Sequence, residues 1–225
     1  MSIFAISDLH LSFGTDKPMD IFKGWNNHTE RLVANWKRIV KPEDTVVLPG
    51  DFSWALKIQE SLPDFKFLEE LPGKKLLLKG NHDLWWSTAK KLREFWQEND
   101  INSVDIIFNN CAVVEGYAIA GTRGWFYDDT GSKKVLAREA GRLEASLKSA
   151  SDTGLPMIVF LHYPPVFADY VCNEILDVLK AYNVQKVYYG HIHGSGAYNV
   201  VKQYDGIDFQ LVSCDSIEFT PFFIA

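Results

Sequence analysis

Short apolar runs alternate with longer amphipathic ones along most of the chain. Residues 2–7, 45–49, 75–79, 157–161 and 185–189 are apolar runs of strand length bounded by Gly, Pro or Asp, and they predict buried strands. Between them the apolar positions fall at helical spacing. In residues 28–40, Leu32, Val33, Trp36, Ile39 and Val40 recur three and four apart. Segments 62–71, 87–98, 133–150 and 172–181 also suit helices. Strand–helix–strand alternation predicts parallel pairing in a layered α/β fold.

Two stretches break the alternation. Residues 104–120 hold about three short strands separated by Asn109-Asn110 and Glu115-Gly116. Residues 197–212 read as a hairpin closed by Asp205-Gly206, a good type I′ turn. Antiparallel strands then extend the sheet or form a second one, and a four-layer α/β/β/α sandwich with mixed β-sheets accommodates both. Residues 11–27 lack periodicity and are long for a plain connection, which marks a functional loop. There is no repeat or linker-like tract, so one domain over residues 1–225 is expected.

Composition narrows the classes. With 225 residues, 47% apolar and 23% charged, the chain can bury a sizeable core and is not disordered. A net charge of −6 excludes a broad basic face for nucleic acid, yet leaves room for a small anionic substrate at a locally positive site. Cys111, Cys172 and Cys214 are far apart and form no C-x-x-C pair, so neither a disulfide framework nor a thiolate zinc site is expected. Asp8 and His10 interrupt the apolar core an export signal needs, and no apolar run approaches the roughly 18 residues of a membrane span. A cytoplasmic protein with no membrane partner is the expectation.

Five of the six histidines, His10, His82, His162, His191 and His193, fall just after predicted strands. Asp8, Asp51, Asn81 and Asp83 share those positions. In open α/β sheets the carboxyl ends of parallel strands converge on the ligand crevice. A lone histidine there is ordinarily a hydrogen-bonded surface or core residue; five together with carboxylates point to a shared metal site. Imidazole suits Zn, Fe and Mn, while carboxylate and amide oxygens favour harder ions. The set exceeds the needs of one tetrahedral ion and indicates two. Glycines precede Asp51, Asn81 and His191, where the backbone must bend sharply.

The series Asp8-x-His10, Gly50-Asp51, Gly80-Asn81-His82-Asp83, His162 and Gly190-His191-x-His193 resembles, in this order, the calcineurin-like metallophosphoesterase superfamily. The words Gly50-Asp51-Phe52-Ser53-Trp54 and Asp83-Leu84-Trp85-Trp86 are similar to a bacterial branch of predicted phosphohydrolases. The resemblance implies that Asp8, His10 and His193 hold one divalent ion, that Asn81, His162 and His191 hold a second, and that Asp51 bridges both. Manganese is the first expectation, with iron or zinc as alternatives. His82 would face the scissile phosphate as acid or transition-state stabiliser, oriented by Asp83. A small phosphate mono- or diester would be attacked by a hydroxide shared between the ions. One position departs from the family pattern: Trp54 stands where many members carry a second acid, which puts an aspartate-to-arginine relay in doubt.

Weaker signals remain. Arg123 lies between glycines after an apolar run; it either grips phosphate oxygens as a substrate-binding residue or forms a surface salt bridge. Trp25, Trp85 and Trp86 are read as packing residues ahead of a pocket wall, and His28 as a helix start. The tail 219–224 should pack on the sheet, and Pro164-Pro165 should stiffen its loop, with a cis bond allowed. An amidohydrolase barrel also uses His-x-His, but it usually needs about 250 residues or more. A non-catalytic scaffold on the same fold is the other alternative; it should have lost ligands or His82, and none is missing.

Overall fold

The computed structural model describes residues 1–125 and 133–225. Two sheets stack face to face. The first contains β1 (Ile3–Ala5), β2 (Thr45–Leu48), β3 (Lys74–Leu77) and β4 (Val104–Ile106), all parallel, with β13 (Phe222–Phe223) antiparallel on the outer side of β1. The second contains β6 (Tyr117–Thr122), β7 (Met157–Leu161), β10 (Lys186–Tyr189) and β12 (Ile207–Leu211), also parallel. Antiparallel edge strands β5 (Ala112–Val114) and β11 (Gln203–Tyr204) close its two sides.

Helices α1 (His28–Ile39), α2 (Leu62–Glu69), α3 (Ala89–Glu98), α4 (Lys133–Ser151) and α5 (Asn173–Ala181) cover the outer faces. Three apolar clusters define the layering. Leu32, Trp36, Phe65, Leu92 and Trp96 pack from α1–α3 onto the first sheet. Leu143, Leu147, Ile175 and Leu179 pack from α4 and α5 onto the second. A third cluster, including Ile3, Ala5, Val47, Leu76, Phe160 and Tyr188, lies between the sheets. Strand alternation produces this: Phe4 faces the helices while Ile3 and Ala5 face the other sheet. The four-layer α/β/β/α expectation holds.

The irregular stretches resolve differently from one another. Residues 104–120 cross between sheets: β4 joins the first, and β5–β6 form a hairpin in the second, turning at Glu115 (φ 50°) and Gly116 (φ 80°). The 197–212 hairpin is shorter than its pattern. Gly194–Asn199 is a 3₁₀ turn, and only β11 and β12 pair, across Asp205 and Gly206. The tail forms β13 on the sheet, as expected. Beyond Pro164-Pro165 lies an unforeseen small hairpin of β8 (Val166–Phe167) and β9 (Tyr170–Val171), and no peptide bond among the described residues is cis. No helix among the described residues is long and apolar enough to cross a membrane.

Candidate metal centre

The sheets are stitched at one end. Past β1, the Ser7 amide donates to Val212 O (2.9 Å) and the Cys214 amide to Ser7 O (3.0 Å), so the continuations of β1 and β12 pair across the seam. The loops after β1 and β2 zip together through Asp8 N to Gly50 O (2.9 Å) and His10 N to Asp51 O (3.0 Å). Asp8, His10, Asp51 and His191 all take left-handed backbone, at φ 60°, 46°, 53° and 71°. Each such residue costs about 1–2 kcal/mol, and strain of this kind gathers at functional sites. Gly80 and Gly190 are required by close approach: a Cβ would overlap the Asp51 carboxylate at one and the Asp8 carboxylate at the other.

Two groups of candidate ligands result, Asp8–His10–His193 and Asp51–His162–His191, with the ligand atoms of each group within 4.8 Å of one another. Each group takes residues from both sheets. Asp51 stands between them: its Oδ2 lies 3.9 Å from His10 Nε2 and 3.5 Å from His162 Nε2. Asn81 Oδ1 lies 2.7 Å from His162 Nε2, beside the second group.

Neighbours aim these rings. His162 Nδ1 sits 3.0 Å from Pro49 O, which leaves Nε2 facing Asp51. His193 Nδ1 sits 2.8 Å from Asp215 Oδ1, and the other Asp215 oxygen accepts from the Gly194 amide at 2.9 Å. Such partners set tautomer and basicity in metal sites. Asp8 accepts from Ser7 Oγ, Ser213 Oγ (3.0 Å) and the His191 amide (3.0 Å).

The protonation pattern suits cations. Burial drives His10 and His162 down to about 3 and His191 to about 4, leaving neutral rings. Burial also pushes Asp51 well above the carboxylate range, helped by Asp8 and Asp83. Asp8 goes the other way: burial would raise it, but the charge of His193 beside it holds it low. His193 is lowered by burial, yet Asp8 and Asp215 outweigh that and raise it to about 10. Its Nε2 lies 3.2 Å from Asp8 Oδ1, and both it and His10 Nδ1 are buried with no hydrogen-bond partner among the described residues. Buried acids short of positive charge, neutral imidazoles and orphaned ring nitrogens fit two divalent ions.

Of the remaining residues, Asp83 lands elsewhere than expected. Asp83 does not reach the His82 ring among the described hydrogen bonds. Its carboxylate accepts the amides of Gly80 (2.7 Å), Asp51 (2.9 Å), Phe52 (3.0 Å) and Ser53 (3.3 Å), with Trp85 Nε1 at 3.1 Å. It pins the Asp51 loop; four amide donors at that carboxylate leave no need of a histidine. The half-buried His82 is flanked by rings, Trp54 at 4.3 Å and His10 at 5.5 Å, while its own amide donates to Asp51 Oδ1 at 2.8 Å. Trp54 also stacks on His10 at 4.8 Å, so an apolar wall replaces the second acid. Arg123 makes a salt bridge, Nη2 to Glu139 Oε1 at 3.1 Å. Trp25 and Trp85 are buried, and Trp25 also meets the His193 ring at 5.6 Å. His28 opens α1.

Sequence reasoning missed Asp215. It follows β12, a sixth parallel strand end, and the same positional rule would have found it had 207–211 been read as paired with β10 as well as with its hairpin partner.

Comparison with known proteins agrees with this geometry. Residues 1–195 match the sequence model of the calcineurin-like phosphoesterases. No curated protein matches the chain. Among solved structures, a protein of unknown function, AQ665 from Aquifex aeolicus, superposes with a TM-score of 0.53 at 16% identity, covering 99% of this chain and 95% of that one. The protein TT1561 of Thermus thermophilus gives 0.55 at 17% identity, covering 85% and 81%. The phosphopantetheinyl hydrolase of Mycobacterium tuberculosis gives 0.50 at 18% identity, covering 94% and 88%. At such identities the structures speak for the fold alone; with the family match over most of its length and paired His/Asp clusters at its strand ends, the chain belongs to the calcineurin-like phosphoesterase family and carries the site of a dinuclear metal-dependent hydrolase.

Proposed function

We propose that the protein hydrolyses a small phosphorylated substrate, a phosphate mono- or diester, with Asp8, His10 and His193 holding one divalent ion, Asn81, His162 and His191 the other, and Asp51 both. Manganese is the ion we favour, and the cytoplasm the compartment; the three free cysteines suit a reducing environment. A pair of divalent ions so held supplies an acidified water and positive charge for the attacking and leaving oxygens. The observation that carries the reading is Asp51, one carboxylate within reach of histidines from both groups.

The chain's own residues do the rest. Asp83 fixes the Asp51 loop through its amides and is a positioning residue. Asp215 and Pro49 O hold the His193 and His162 rings in orientation. His82, kept in place by Trp54, gives a proton to the leaving oxygen or stabilises charge on the phosphoryl oxygens. Trp54 and Trp25 keep water from one side of the site. A panel of aryl phosphate, bis-aryl phosphate, cyclic nucleotides and nucleic acid, each with Mn supplied, tests the proposal. Turnover of a phosphate ester that is lost on chelation is expected; no turnover of any of them overturns it.

A further inference from the structure

We propose that Lys79, Arg123 and Arg142 form an anion subsite beside the metal centre that takes a second phosphate of an extended, nucleotide-like substrate; this rests on the phosphoesterase reading above. The three side chains line one small cleft. They come from different elements: Lys79 just past β3, Arg123 just past β6, and Arg142 from α4. Two of them, Arg123 and Arg142, share one carboxylate. Glu139 is fully buried, and its Oε1 accepts from Arg142 Nη1 (2.7 Å) and Arg123 Nη2 (3.1 Å). Among the described residues Lys79 makes no hydrogen bond or ion pair, and the buried Arg123 Nε has no hydrogen-bond partner.

Glu139 therefore acts as an anchor. It fixes both guanidinium planes, while Arg142, a third exposed and also 5.7 Å over the Phe108 ring, keeps donors toward solvent. Fixed forks lose little freedom on meeting an anion. Among the described residues the cleft is lined by three cations and one carboxylate, in a chain of net charge −6. Two guanidinium forks and an ammonium match the charge and many acceptors of a phosphate dianion.

The cleft is tied to the metal centre. The Arg123 carbonyl accepts the amides of His162 (3.2 Å) and Tyr163 (2.9 Å), and Lys79 is two residues before Asn81. A run of rings joins the two places: His191 to Tyr163 at 4.5 Å, Tyr163 to Trp125 at 6.1 Å, then Arg123 over Trp125 at 5.2 Å. Two ring-to-ring steps make a wall of roughly nucleoside length, along which the middle of a substrate lies while its scissile phosphate meets the metals.

The test uses the Mn-loaded enzyme, with p-nitrophenyl phosphate and bis(p-nitrophenyl) phosphate as reporters. Thymidine 5′-phosphate and thymidine 3′,5′-bisphosphate serve as inhibitors that differ by one phosphate. The bisphosphate should inhibit about tenfold more tightly, the effect of one good charge-assisted contact. Arg142→Gln should bring the two Ki values within about twofold of each other. Lys79→Gln removes no hydrogen bond among the described residues, so it reports even if the arginine variant fails to fold, and it should cut the ratio several-fold. Equal Ki values in the wild type, or a ratio that survives both substitutions, overturn the subsite and leave the phosphoesterase intact. Absence of turnover with both reporters, with cyclic nucleotides and with nucleic acid overturns the phosphoesterase reading and this proposal with it.

Discussion

The seam between the two sheets and the mouth of that seam are built by the same strands a few residues apart, and they are physical opposites. Along the seam Ile3, Ala5 and Val47 meet Ile119, Ile158 and Phe160, with Phe160 stacked on Tyr188 at 5.3 Å. Such burial is favourable without any partner. At the mouth Asp8, Asp51, Asp83, His10 and His162 are buried, and the backbone turns left-handed at four candidate ligands. Burial there is costly until positive charge arrives. The seam thus holds the mouth in a form it would not keep unaided.

The largest blow to the mouth should be Asp51→Asn. An amide cannot neutralise two ions, so metal analysis should show loss of ions along with activity at background. Two ions per chain with full activity would show that Asp51 does not join the groups. Next is His82→Ala, expected to keep both ions and lose about 10²–10⁴-fold in rate on an alkyl phosphate. The loss should be smaller with a nitrophenyl leaving group, and equal losses would leave His82 an electrostatic role only.

Phe160→Ala strikes the seam. It should cost about 3–5 kcal/mol in denaturant unfolding while metal stoichiometry in the folded fraction stays the same. Chelation strikes the mouth and should lower Tm. An ion present at 100 times its Kd contributes about 2.7 kcal/mol per site, which a thermal melt reads directly. If chelation left Tm unchanged, the mouth would be as self-sufficient as the seam.

The smallest effect concerns Asp64, outside both regions. It accepts from Ser53 Oγ and from the Phe13 amide at 2.8 Å, and burial lifts its carboxyl to about 6 from an ordinary 3.8. As pH rises from 4 to 6 the unfolded chain ionises first, so stability falls across that window. Asp64→Asn should flatten that part of the unfolding-versus-pH curve; an unchanged slope would remove Asp64 as its source.

The candidate ligands were legible because each follows an apolar run in a short word such as Gly-Asp or Gly-Asn-His-Asp. Local pattern carries that much. What it does not carry is partnership across the chain. The Asp83 carboxylate meets amides about thirty residues earlier, at 51–53, and its adjacency to His82 suggested the wrong partner. Asp215 was hidden because β12 reads as a hairpin strand while its other edge pairs in parallel with β10. Arg123 was ambiguous because its carboxylate partner sits sixteen residues on, on a different element. The division of 104–120 between two sheets depends on strand neighbours that no run of residues names.

Because each candidate ligand group draws on both sheets, order of synthesis governs when a metal can be held. Asp8, His10, Asp51 and Asn81 emerge with the first half of the chain, but His162, His191 and His193 come only near its end. A nascent chain folds from its amino-terminal side. During most of translation the candidate donors it displays are therefore carboxylates, an amide and one or two imidazoles, a poor and unselective trap for transition metals. Only after residue 191 has left the ribosome is one donor set complete, and only after residue 193 the other, so the choice of ion is deferred to a nearly finished molecule.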